Sequence, residues 1–68
     1  MIANDTELQV TLARIADFHA QVVALRKVMS DAENYRLSAG GFLAEIEKME
    51  AEVRNYLRRH PTELAASA

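Results

Sequence analysis

Three ionisable side chains stand where a helical pattern calls for apolar ones. His19, Arg26 and Glu50 each fall on the apolar side of a 3.6-residue period. An imidazole in that position offers either a pH-responsive interface group or a ligand. The competing account is a seam histidine whose stem is packed and whose ring has one nitrogen hydrogen-bonded, and it is preferred because no second ligand lies at metal spacing. His60, the other histidine, is too distant in sequence to complete a helical metal pair, and the 68 residues contain no cysteine. Disulfides and thiolate metal sites are thereby excluded. Arg26 offers a counter-charge to an acid from another helix, and Glu50 is expected to pair across an interface with His19 or Arg26.

Arg54, Arg58, Arg59 and His60 form the densest basic run. One reading is a small regulator that contacts nucleic-acid phosphates through Arg54, Arg58 and Arg59. Their helical angles scatter, however, and Glu47, Glu50 and Glu52 precede them, so a solvated helix end matched to the helix dipole is the better account. Tyr35 and Tyr56 suit packed aromatics with a wet hydroxyl, and Met29 and Met49 suit core positions. No phosphate-cradling Gly-rich loop, His-Glu metal helix or nucleophile beside a base is present, and Gly40-Gly41 lacks a P-loop's lysine and strand. These residues point to no enzyme and no cofactor.

The elements that would position these side chains are helical. Half of the residues are hydrophobic, with two glycines and one proline, which favours packed helix over disorder. Asn4 followed by Glu7 reads as a variant capping box, and Asp5 and Glu7 suit the positive end of a helix dipole. Leu8, Leu12, Ile15, Phe18, Val22, Leu25 and Met29 then recur at threes and fours, with Val23 continuing the arc. The apolar arc spans roughly 160°, more than one partner helix covers. The pattern falters at Ser30-Asp31-Ala32-Glu33-Asn34. The first helix could continue to about Arg36 or end near Met29; the break gives two helices of matched length, so the expected first helix runs from about 5 to 29, with a connection over about 30–37. Ser38 is the expected N-cap of a second helix over about 38–59, ended by His60-Pro61. Gly40 and Gly41 would sit in its first turn, there to let another backbone approach or to let the helix begin later. Its stripe is narrow: Phe42, Ile46, Met49, Val53, Tyr56 and Leu57 share an arc of about 100°.

Two helices on a short connection pack antiparallel. The expected fold is all-α: an antiparallel two-helix hairpin occupying 1–60, with a flexible tail over 61–68, dimerising into a four-helix bundle. In that register Asp5 and Glu7 approach Arg58 and Arg59, while Arg26 and Lys27 approach Glu45 and Glu47. Phe42, Ile46, Met49, Val53, Tyr56 and Leu57 form the expected intramolecular core. The expected dimer interface is centred on the first helix: Leu8, Leu12, Ile15, Phe18, His19, Val22, Val23, Leu25 and Met29. A chain this short, without disulfide or metal, needs another staple, and association supplies it.

Partners follow from charge and length. A net charge of −2 gives no electrostatic reason to expect nucleic acid or an anionic membrane. No apolar run reaches the roughly 18 residues of a membrane helix, and Met1-Ile2-Ala3-Asn4-Asp5 lacks a signal peptide's basic start. A homodimer, with another protein as a further partner, in the cytoplasm is the expected setting.

Ile2-Ala3-Asn4-Asp5-Thr6-Glu7-Leu8, followed by Thr11-Leu12-Ala13-Arg14-Ile15, resembles the helical segment that precedes the DNA-binding domain of bacterial antitoxin-type transcriptional regulators. It is also similar to small bacterial helical-hairpin proteins. The regulators' helix-turn-helix has no counterpart in these residues, so the resemblance implies a regulatory or antitoxin-associated interaction module and transfers no functional residue. Sporulation-type aspartyl-phosphate phosphatases share the hairpin architecture, which keeps a phosphatase-like signalling effector as a further reading. Their Ser-x-x-x-Asp signature is not met, because Phe42 occupies the fourth position after Ser38.

Overall fold

In the computed structural model, which describes residues 1–60 and 62, the chain forms two helices, α1 (Asp5–Val28) and α2 (Ala32–Leu57). They pack side by side as an antiparallel hairpin with extents of 51 × 16 × 13 Å. The fold is all-α. Of the tail over 61–68, only Thr62 lies among the described residues.

α1 starts where its capping residues place it. The Asn4 side chain accepts from the Glu7 N–H at 2.9 Å, and the Glu7 carboxylate accepts from the Ala3 N–H at 3.1 Å. The return bond thus reaches one residue further back than in the usual capping box. Ile2 follows the same fold-back: it is 8 % exposed and packs with Leu8. Arg26 and Lys27 close α1 in its last turn, where positive charge suits the dipole.

The second helix begins six residues earlier than Ser38. Its N-cap is Asp31, whose carboxylate accepts from the Glu33 N–H at 2.9 Å, and Glu33 lies in the acid-favouring first turn. Met29 and Asp31 are both extended, so Met29, Ser30 and Asp31 are the whole connection, not an eight-residue loop. Ser38, Gly40 and Gly41 consequently lie inside the helix. A Cβ on either glycine would meet nothing within 4 Å, so within the hairpin no backbone contact requires them. Each costs the helix up to about 1 kcal/mol relative to alanine. Burial of their neighbour Ala39, which is fully enclosed, and half-burial of Phe42 hold the segment in place.

The seam has a regular beat. Leu8, Thr11, Ile15, Phe18, Val22 and Leu25 of α1 and Met29 just past its end are buried or half-buried, as are Tyr35, Ala39, Phe42, Ile46, Met49, Val53 and Tyr56 of α2. Alternating steps of three and four average 3.5, the period of a left-handed coiled coil. One cluster at the open end joins Ile2, Leu8, Val53 and Tyr56; another toward the turn joins Val22, Ala39 and Ile46; Ile15 packs on both. Phe18 and Phe42 meet edge to face, with centroids 5.5 Å apart and planes at 86°, a geometry worth about 0.5–1.5 kcal/mol beyond burial.

Candidate interaction surface

The register fixes which side chains become neighbours. With α2 starting at Ala32, Arg26 lies beside Met29, Ser30, Ala32 and Tyr35 around a shallow depression, not beside Glu45 and Glu47. At the open end Asp5 meets Tyr56: the phenol donates to the Asp5 carboxylate at 2.5 Å. Among the described residues the one ion pair joins the N-terminal ammonium and Glu52 at 3.5 Å, with partners exposed enough to contribute little. The Asp5 bond, and to a smaller extent burial and the charges of Asp5 and Glu7, hold the Tyr56 phenol above its ordinary pKa of 10.0.

The basic run makes no patch. Arg54, Arg58, Arg59 and His60 are all exposed; Arg54 and Arg58, four positions apart, share a side, while Arg59 is turned about 100° from Arg58. His60 is engaged locally, its Nδ1 lying 2.8 Å from the Thr62 hydroxyl. A depression of about 280 Å³ at the open end is lined by Met1, Ile2, Glu52, Asn55, Tyr56 and Arg59. It holds no nucleophile beside a base. Among the described residues no three His, Cys, Asp or Glu side chains gather around a point that could hold a metal. Among the described residues no helix is long and apolar enough to cross a membrane.

The expected dimer surface divides in two. Leu8, Ile15, Phe18, Val22 and Leu25 pack into the hairpin's own clusters, and Met29 is half-buried. Burial within one chain removes most of this set from a partner's reach. Leu12, His19 and Val23 remain exposed. In the expected core, Phe42, Ile46, Met49, Val53 and Tyr56 line the seam, but Leu57 stands outside it at 62 % exposure because Tyr56 takes the seam position.

What remains exposed is not scattered evenly. In an antiparallel coiled coil, the positions just after the three-step seam residues of both helices flank the seam on the same side. Those positions are Asp5, Leu12, His19 and Arg26 in α1, and Arg36, Leu43, Glu50 and Leu57 in α2. The side is confirmed at the open end, where Asp5, Gln9 and Leu57 line one depression. Leu12 (41 %), Leu43 (46 %) and Leu57 (62 %) hold three of these positions, and Val23 (50 %), four after His19 and three before Arg26, adjoins them, so the four crop out on a single flank. Sequence reasoning found Leu12, His19 and Val23 but missed Leu43. Its signal was its place next to Phe42, one step off the stripe.

Comparisons with protein-family models, curated proteins and solved structures found no match to this chain.

Proposed function

We propose that the chain is a non-catalytic protein–protein interaction module that works as a homodimer of hairpins forming a four-helix bundle. The observation that carries this reading is the flank of Leu12, Val23, Leu43 and Leu57. Four large apolar side chains on one side of a hairpin with a single thin seam form a surface of the kind proteins cover. A domain of this size buries little of its own surface, and association adds the missing burial. Two-fold pairing is the simplest closed assembly. The outer faces would then be free to engage another protein in a regulatory or antitoxin-associated setting. Sedimentation equilibrium at micromolar concentration tests the reading: a mass near twice 7.6 kDa is expected. A monomer mass from a chain that remains helical by circular dichroism overturns it.

A further inference from the structure

The flank carries enough pattern to specify how a second copy would sit on it; this rests on the dimer reading above. Along the hairpin axis, Phe18 lies level with Phe42 and Asp5 with Tyr56. At about 1.5 Å per residue, that register places Leu43 midway between Leu12 and Val23, roughly 8 Å from each. The same register places Glu50 and Arg36 at about equal distances on opposite sides of Leu43. Arg54 and Glu33 stand further out, again on opposite sides. Leu12 and Val23, Glu50 and Arg36, and Arg54 and Glu33 thus stand at mirror positions along the axis: apolar against apolar, acid against base.

We propose that two copies of this chain pair through this flank with their open ends pointing in opposite directions, about a two-fold axis beside Leu43. Each α1 then lies antiparallel on the other copy's α1, and each α2 on the other α2. Leu12 packs on Val23 of the second copy and Leu43 on its own counterpart. Glu50 meets Arg36, Arg54 meets Glu33, and each contact occurs twice. The alternative two-fold, with both open ends together, would set Leu12 against Glu50 and Arg26 against Arg36, a desolvated acid and a like-charge pair. The expectation that Glu50 pairs with Arg26 gives way to Arg36, because the early start of α2 brings Arg36 onto the flank. The whole side measures 51 by 16 Å in projection, an upper limit on the contact of the order of the roughly 800 Å² per partner of a standard interface.

Two experiments on the full chain test this arrangement. Leu43→Cys introduces a sole cysteine, and mild air oxidation is expected to convert the dimer to a disulfide-linked species. Lys48→Cys, on the opposite flank, is expected to stay unlinked. Independently, Glu50→Arg and Arg36→Glu are each expected to raise the dimer Kd about tenfold or more, and the double exchange to return it to within about threefold of the parent. A dimer that neither links through Leu43→Cys nor recovers in the double exchange overturns the arrangement and leaves the dimer reading standing. A chain that is monomeric throughout overturns both.

Discussion

The two flanks of the hairpin are built from the same helices, yet they face water in different ways. One exposes Leu12, Val23, Leu43 and Leu57. The other, one helical step before the seam instead of after it, carries Arg14, Asp17, Gln21, Glu45, Lys48 and Glu52, all of them polar and, except half-buried Glu52, exposed. A helix that only had to fold into this hairpin would gain nothing from treating its two flanks differently. Either flank lies beside the seam, and solubility favours charge on both. The asymmetry is therefore extra information, beyond what the monomer fold needs, and it points outward. Val10 and Val28 are exposed on the second flank as well, one step before Thr11 and Met29, but they stand about 27 Å apart along α1 with polar residues between them, and Leu37 is exposed on the outer face.

The sharpest way to break this comparison is to remove the seam both flanks depend on. Ile46 is 3 % exposed, so Ile46→Ala is expected to cost about 2–5 kcal/mol in denaturant unfolding, and both flanks are lost together. The next test separates the flanks. Leu12→Lys is expected to leave a helical monomer at concentrations where the parent sediments as a dimer, whereas Arg14→Glu keeps the parent mass. An equal response from both would erase the distinction. A smaller effect comes from the glycines. Gly41 lies toward the polar flank and Gly40 toward the apolar one, and neither has a neighbour its Cβ would strike. Gly41→Ala is expected to stabilise by up to about 1 kcal/mol; Gly40→Ala is expected to return less, because a second copy approaches there. Equal gains in thermal unfolding would argue that nothing approaches Gly40.

The smallest effect is confined to alkaline solution and to the open end. Folding holds the Tyr56 phenol protonated through its bond to Asp5, so its folded pKa lies above its unfolded value of 10.0. This contribution is fully present below pH 10 and fades as pH rises through the folded value. Tyr56→Phe is expected to lose that alkaline limb of the stability profile. An unchanged limb in the variant would assign it to other groups.

Much of this was legible before any coordinates. The alternation of threes and fours marks Ile15, Phe18, Val22, Ile46, Met49 and Val53 as one side of a helix, because period is a global property that single residues hardly disturb. Asn4 was legible as a cap for the opposite reason: capping is local chemistry. The turn was misplaced because two local signals misled. Ser30 to Asn34 reads as polar interruption, when Asp31 is a cap and Glu33 a dipole-matched first turn. Gly40-Gly41 reads as a helix start, when burial of Ala39 beside it outweighs the glycine cost. Thr11 was overlooked in favour of its apolar neighbour Leu12. Its hydroxyl donates to the Glu7 carbonyl at 2.9 Å, which lets a polar side chain sit half-buried at the seam. The flank itself could not be seen until the register was known, since it combines residues of two helices.

The three-residue connection also sets an order of events in time. Val22 and Ala39 close a short loop of chain, whereas the Asp5–Tyr56 bond links residues 51 positions apart. Loop-closure entropy rises with separation, so the hairpin is expected to zip from the turn toward its two ends. Folding-rate effects should accordingly be large for Val22→Ala and small for Tyr56→Phe relative to their effects on stability. The last contact to form is then the one nearest the free ends, and the flank that would receive a second copy is complete only when that zip has closed.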